Sequence, residues 1–457
     1  MIGPWDPVPD LEAADELGAM LHSLGYTEDE IVARLGEDGP AADAEDATVL
    51  ARRLGNGPLD DVMRLLLLQA PVARSRIVGE QHLLRLGLVV DDGGTLVPRG
   101  RIIPTEGLYL AFDSFSRGIS DPPGWVASFT PTAYWLASLT PRPQVARALD
   151  VGTGNGAHAL FAARHAEHVV ATDVNARALA FTQIGAALNG LANVETRQGS
   201  FFEPVGSETF DLITCNAPYV ISPESRWQYR DAGGCGDEVS EHVVREAAAH
   251  LEDGGYAAMT LSWLAASRAD PDRNVEQWLA GSGCDAWLLG VHGSDPLDHA
   301  AAWTDHVDDP AAQEDAIDLW ASYIRDLGAV WVTEGVAVLH KRPGRRHGLR
   351  ADPVEEDDLE YAGEQAERVL AGVALLAEGR LDGRRFRLVD DAYFRQELDN
   401  GGDVTEVVLV LDEGTHPELE LDEEDVDVLV DPAGITTRSV GDRLLRDLLE
   451  GGFVEPA

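Results

Sequence analysis

The chain has 457 residues, enough for two to four domains with buried cores of their own. Apolar residues make up 44 %, which argues for a folded rather than a disordered chain. Eighty acidic against 35 basic residues leave a formal net charge of −45, which disfavours a phosphate backbone as partner and favours solubility, in a salt-rich cytoplasm as in any other.

The first ten residues are acidic and Pro-rich and lack the basic start and apolar run of a secretory signal. The longest apolar stretch, near Val62 to Ala73, is interrupted by Arg64 and Gln69 and is too short to span a bilayer. A cytoplasmic protein with no membrane partner is expected. Cys215, Cys235 and Cys284 form no C-x-x-C pair, so neither a metal site nor a disulfide framework is expected.

In chain order, Leu11 to Leu24 and Thr27 to Leu35 carry helical periodicity, and Thr27 with Glu30 reads as a capping box. Pro58 to Leu68 and Glu80 to Leu86 predict two more helices. Gly87-Leu-Val-Val, the turn Asp91-Asp-Gly-Gly94 and Thr95-Leu-Val-Pro98 then predict a hairpin. Helix, strand, turn and strand in that order suggest a winged-helix-like domain over residues 1–115. Such a domain grips nucleic acid in some proteins; here the charge favours a substrate-gripping or dimerising role.

Residues 140–342 alternate strand and helix patterns, which implies an α/β domain with a parallel sheet, taken as residues 116–342. Seven strands are predicted: Ala146 to Val151, Val169 to Thr172, Val194 to Arg197, Phe210 to Cys215, Tyr256 to Leu261, Ala286 to Val291 and Val330 to His340. The intervening helices begin near Gly156, Asn175, Asp237, Asp272 and Ala311. The basic run from His340-Lys341-Arg342 through Arg345, Arg346 and Arg350 reads as a solvated linker. Residues 343–457 form an acidic α+β region with no chemical motif. It has helices over Leu359 to Ala377 and Val440 to Leu449, and strands over Arg384 to Val389, Glu406 to Leu411 and Val426 to Val430.

The strongest local signal is Asp150-Val151-Gly152-Thr153-Gly154-Asn155-Gly156, at a strand end where a helix starts. Glycines there permit close approach of a ligand and dihedrals that a side chain forbids. The spacing is G-x-G-x-G rather than the G-x-G-x-x-G of dinucleotide folds. Asp150, directly before the first glycine, repels a pyrophosphate and attracts a cation such as the methionine end of S-adenosylmethionine. About twenty residues on, Asp173 ends the second strand, where a carboxylate can accept both hydroxyls of a ribose or cap the next helix. Val174 follows it, and Ser200-Phe201 stands after the third strand, where Phe201 either packs on an adenine face or is core.

At the end of the fourth strand stands Asn216-Ala217-Pro218-Tyr219. An amide-type nitrogen is a poor nucleophile because its lone pair is delocalised. Two acceptors, Asn216 Oδ1 and the Ala217 carbonyl, can each take one of its N–H groups and stabilise the charge that develops as a fourth bond forms. Tyr219 can stack on the planar group and aim the nitrogen. Downstream, Tyr229 to Asp237 is a Gly-rich loop opening a helix, with Arg230 and Asp231 in reach of a substrate or of each other.

Residues 125–342 resemble the small-domain class I S-adenosylmethionine-dependent methyltransferases, and Phe210 to Gly255 resembles the release-factor glutamine methyltransferases within that group. Asn216 to Tyr219 corresponds to their N-P-P-Y motif, with Ala217 replacing the first proline. Ser200 stands where many members carry Asp. The resemblance implies a seven-stranded Rossmann-like sheet and S-adenosyl-L-methionine as cofactor. It implies cofactor contacts at Asp150, Gly152, Thr153, Gly154, Gly156, Asp173, Val174, Ser200, Phe201 and Asn216, and chemistry at Asn216 to Tyr219. The expected acceptor is a protein glutamine amide. A nucleic-acid base (guanine N2 or adenine N6) and a non-catalytic cofactor-binding scaffold are the alternatives.

Overall fold

The computed structural model describes residues 5–37, 39, 44–115, 124–216, 218–224, 234–305, 307, 309–379, 381, 383–398, 404–431 and 434–457. It forms two compact units. One holds the described residues up to Ala133 together with Val145–Gly206, and the other holds Tyr134–Gln144 and the described residues from Ser207 onward.

The first unit opens with helices α1 (Leu11–Ser23), α2 (Glu28–Leu35) and α3 (Pro58–Val62), the last running into a π-turn over Met63–Leu67. Asp10 caps α1 by accepting the Ala13 N–H, and Thr27 caps α2 by accepting the Glu30 N–H. Strand β1 (Val72–Ala73), helix α4 (Glu80–Arg85) and strands β2 (Val89–Asp92) and β3 (Thr95–Pro98) follow. The three strands pair antiparallel in the order β1-β3-β2. Asp91 Oδ1 accepts the Gly94 N–H and closes the expected hairpin turn. A second, buried hairpin, β4 (Gly100–Thr105) with β5 (Leu108–Asp113), was not legible in the sequence, where Pro104 obscures the first strand.

The same unit carries parallel strands β6 (Val145–Val151), β7 (Ala166–Asp173) and β8 (Val194–Gln198), with helices α5 (Ala157–Ala162) and α6 (Ala176–Leu188) between them. Helix α1 buries Ala14, Leu17 and Leu21 and packs on α6. Gly18 permits the approach, because a Cβ there would lie 1.9 Å from the Leu188 carbonyl oxygen.

The second unit contains β9 (Phe210–Cys215), α7 (Glu238–His250), β10 (Leu251–Ala265), α8 (Arg273–Leu279) and β11 (Cys284–Ser294). Helices α9 (Pro296–Trp303) and α10 (Pro310–Asp326) then lead into β12 (Trp331–Lys341) and β13 (Leu349–Pro353). Strand β10 runs parallel to β9 and antiparallel to β12, and β11 pairs antiparallel with β12 and parallel with β13. All seven expected strands are present, and the molecule is of the α/β class.

The eighth strand, β13, corrects the reading of the basic run as a solvated linker. Arg342 Nε donates to the fully buried Asp285 carboxylate at 2.5 Å, and Arg342 and Arg345 both reach Glu378. Arg350 pairs with Asp352 and Glu450, and Lys341 Nζ donates to the Ser282 and Ala248 carbonyls. Unpairing a buried carboxylate is strongly unfavourable, so these cations hold their places in the fold.

Helix α11 (Gly363–Glu378) buries Ala366, Val369, Leu370 and Val373 among Trp287, Leu289, Val336 and Val338 of the sheet. The chain ends in β14 (Phe386–Leu388), β15 (Ala392–Leu398), β16 (Val404–Leu411), β17 (Glu418–Leu421), α12 (Thr437–Gly451) and β18 (Val454–Pro456). The strand expected over Val426 to Val430 is instead a helix, Glu423–Leu429. Acidic residues at its start favour a helix N-terminus, and that preference outweighs the alternation of valines. Among the described residues, no helix is long and apolar enough to cross a membrane, and no group of three or more His, Cys, Asp or Glu is placed to hold a metal.

Candidate functional site

The nucleotide half is built at the ends of β6 and β7. Gly152, Gly154 and Gly156 have φ of +69°, +55° and +87°. These are left-handed conformations that a side chain makes costly. At Gly156 a Cβ would also lie 3.0 Å from Thr182 of α6. At Gly154, by contrast, a Cβ would have only the Gly152 carbonyl oxygen within 4.0 Å, so the space above the loop is open. The Thr153 N–H donates to the Thr172 carbonyl at 2.9 Å and ties the loop to β7.

Asp150 is buried, 1 % exposed, and its Oδ2 accepts the Thr153 hydroxyl at 2.6 Å and the Ala159 N–H at 3.1 Å. It thus organises the loop and the start of α5 while contributing negative charge beneath the glycines. Asp173 is partly buried. Its Oδ2 accepts the Gly154 N–H at 3.0 Å and its Oδ1 accepts the Asn175 N–H at 2.8 Å. Burial pushes its carboxyl above the ordinary carboxylate range, against the downward pull of those N–H donors. The cap of α6 is Asn175, whose Oδ1 accepts the Arg177 N–H, rather than Asp173.

Beside Asp173, Val174 is half-exposed. Ser200 is partly buried, and Phe201, also partly buried, has φ +44° with its carbonyl accepting the Thr172 hydroxyl at 3.1 Å. The carboxamides of Asn155 and Asn175 donate to the carbonyls of Ala127 and Gly124 at 3.1 and 3.0 Å, bringing Gly124–Ala127 to this loop cluster. That attachment was not foreseen, because nothing local in Gly124–Ala127 marks it. An open space over glycines, with a partly buried carboxylate beside it and a half-exposed valine next in sequence, fits a ribose and its adenine.

The acceptor half begins at the end of β9. Cys215 is buried as a strand residue, and Asn216 follows it, partly buried. Asn216 Oδ1 accepts the Thr260 hydroxyl of β10 at 2.7 Å. That bond fixes the carboxamide and leaves its oxygen a second lone pair. Ala217, assigned a carbonyl role from sequence, lies outside the described residues, as do Arg230, Asp231 and Gly233 of the Gly-rich loop. Pro218 and Tyr219 are partly buried, and Tyr219 packs at the edge of a cluster of Val220, Ala300, Trp320 and Ala321. Further along, the Gly236 N–H donates to the Tyr323 hydroxyl at 2.8 Å, and Asp237 Oδ2 accepts the Leu264 N–H at 3.0 Å. Thr260, Trp320 and Tyr323 were not identifiable in the sequence, since each reaches this half through long-range packing.

Comparison with known proteins bears on both halves. Residues 130–263 match the family model of the methyltransferase small domain, and residues 23–99 match a domain of unknown function, DUF7059. The release factor glutamine methyltransferase of Xylella fastidiosa (strain Temecula1) is 34 % identical over 129 residues, covering 26 % of this chain and 47 % of its own. That of Geobacter sulfurreducens is 33 % identical over 138 residues, covering 27 % and 48 %. The ribosomal protein uL3 glutamine methyltransferase of Bradyrhizobium diazoefficiens is 35 % identical over 125 residues, covering 24 % and 39 %. The chain spans about half the length of the release-factor enzymes it matches. Residues 130–263 therefore match the methyltransferase small domain, and over that part the chain is similar to the class I S-adenosyl-L-methionine-dependent release factor glutamine methyltransferases.

Proposed function

We propose that this protein is an S-adenosylmethionine-dependent N-methyltransferase acting on a planar nitrogen, the side-chain amide of a protein glutamine. The observation that carries the reading is Asn216, at the carboxyl end of β9, with its amide oxygen held by the Thr260 hydroxyl. When bound, the cofactor supplies the methyl group. Asp173 would accept the ribose hydroxyls, the Gly152–Gly156 loop with Asp150 would hold the methionine end, and Val174, Ser200 and Phe201 would border the adenine.

Asn216 Oδ1 and the Ala217 carbonyl accept the two N–H groups of the acceptor amide, and Tyr219 stacks on its plane. These acceptors strengthen as positive charge develops on nitrogen, so they favour the transition state over the bound amide. The nitrogen turns acidic once methylated, and no strong general base is required.

A protein acceptor is supported by the names of the relatives and by charge, since a net −45 steers a basic protein inward. A nucleic-acid base is the weaker reading. In the winged-helix-like region, read as residues 1–115, Arg74 pairs with Asp91 and Glu80, Arg76 with Asp61, and Arg85 with Asp10 and Glu12. Cations already paired release few counterions on meeting a phosphate backbone. We read that region as gripping or dimerising, residues 116–342 as the catalytic domain and 343–457 as an accessory domain of a cytoplasmic protein.

The test is to incubate the protein with radiolabelled S-adenosylmethionine and separate fractions of cell protein and RNA. Label in protein, on glutamine after hydrolysis-free peptide mapping, supports the proposal. Label in RNA alone overturns the acceptor, and failure to bind the cofactor in calorimetry overturns the enzyme reading altogether.

A further inference from the structure

The backbone just beyond Tyr219 is held by a buried polar group for which the chemistry above has no use. His299 of α9 is 2 % exposed, and its Nε2 lies 3.0 Å from the carbonyl oxygen of Ile221. A carbonyl only accepts, so Nε2 carries the hydrogen and donates it. The other ring nitrogen, Nδ1, lies 3.4 Å from Glu334 Oε1 of β12, and the same carboxylate oxygen accepts the Trp303 indole N–H at 2.7 Å. Glu334 is itself buried, 7 % exposed. The imidazole thus stands between the Ile221 carbonyl and a buried carboxylate, which the indole also reaches.

Their placement links them to the acceptor half. Glu334 lies directly across from Ser262 in the β10–β12 ladder, and Val336 across from Thr260. Side chains two apart on a strand share a face, so Glu334 stands on the face that carries Thr260, the partner of Asn216. The apolar surroundings agree. Val220 is buried with Ala300, Trp320 and Ala321, and Ile221 with Leu264, Ile324 and Val332. Helices α9 and α10, inserted between β11 and β12, therefore cover Tyr219, Val220 and Ile221, and His299 adds a polar tie to their backbone.

We propose that His299 is a positioning residue for the acceptor half: by donating to the Ile221 carbonyl, and itself braced by Glu334, it sets the backbone that carries Tyr219. The inference rests on the methyltransferase reading for its consequence in turnover, but not for its structural content. Buried polar groups are retained only with partners, and this one holds a loop rather than a helix or sheet ladder.

The experiment uses the full-length chain with His299→Leu, His299→Gln and Glu334→Gln. Three quantities are measured: deuterium exchange of peptides covering 218–224, affinity for S-adenosylhomocysteine by calorimetry, and single-turnover methyl transfer to a purified release factor. We expect His299→Leu to speed exchange in 218–224 and to lower the transfer rate at least tenfold, with cofactor affinity within twofold of the parent. His299→Gln, which keeps a donor near Ile221, is expected to recover much of both losses. Glu334→Gln should change both in the same direction by less. If His299→Leu does not fold, the Gln variants carry the same comparison. Unchanged exchange in 218–224, or cofactor affinity falling in step with transfer, overturns the proposal. If the parent chain does not methylate the release factor, that acceptor fails, and the exchange measurement decides the positioning role by itself.

Discussion

The nucleotide half and the acceptor half are organised on different length scales. In the first, the polar contacts at Asp150 and Asp173 are short in sequence or run between consecutive strand ends, and only the attachment of Gly124–Ala127 through Asn155 and Asn175 reaches further. Thr153 bonds Asp150, Asn175 bonds Asp173, and Gly154 reaches Asp173 across a single β-α-β step. In the second, each functional group is held from far away: Asn216 by Thr260, Ile221 by His299 and Gly236 by Tyr323. The first arrangement forms with the local fold. The second exists only once helices α9 and α10 and the long β10–β12 ribbon have packed.

Four changes sharpen or break that contrast. The largest effect is expected from Asn216→Ala, which should lower the transfer rate by about 10²–10³-fold, as loss of a preorganised charge-stabilising group does. Calorimetry should show cofactor affinity retained, and turnover that survived the change would remove Asn216 from the chemistry. Asp173→Asn should weaken cofactor binding by about 10- to 100-fold, the range for a hydrogen bond to a charged group. Because burial raises the Asp173 carboxyl, the ionised, ribose-accepting form is lost on acidification sooner than for an exposed Asp. Cofactor affinity should therefore fall as pH is lowered through that raised value, and the Asn variant should flatten the profile. An identical profile in the two proteins would contradict the ribose assignment.

Gly156→Ala places a Cβ at φ +87° and 3.0 Å from Thr182, so urea unfolding should register a loss of about 1–3 kcal/mol. Full stability in that variant would mean the loop relaxes and is not strained by a side chain. Thr260→Val keeps the shape and removes the hydroxyl, at a cost of about 1 kcal/mol in held geometry, or roughly fivefold in transfer rate. Cofactor affinity should not move. Were it to fall instead, the two halves would be coupled more tightly than their separate supports imply.

Much of this was written in local sequence. The glycine loop, Asp150 and Asp173 stand at strand ends that period-two and turn signals locate. The buried strands β6, β7 and β9 follow from the same patterning, because buried parallel strands are nearly continuous apolar runs, whereas β8 alternates polar residues. Where local signals compete, the reading failed. Val426, Val428 and Val430 alternate like a strand yet lie in or beside a helix that starts among acidic residues. Arg342 and Arg350 look like a solvated run, yet pair with Asp285, Glu378 and Asp352, carboxylates scattered along the chain.

By itself, then, the amino-acid sequence determined the α/β alternation and the class of donor, because the signals for each lie within one β-α-β step, and it put Asn216 at the end of β9. Only the tertiary structure decided what holds Asn216 and Tyr219 in place. Thr260, His299, Glu334 and Trp320 carry no motif, and their meaning arises from burial and from cross-strand register. Nothing local in a sequence encodes a hydrogen bond between residues that meet only when two distant segments pack.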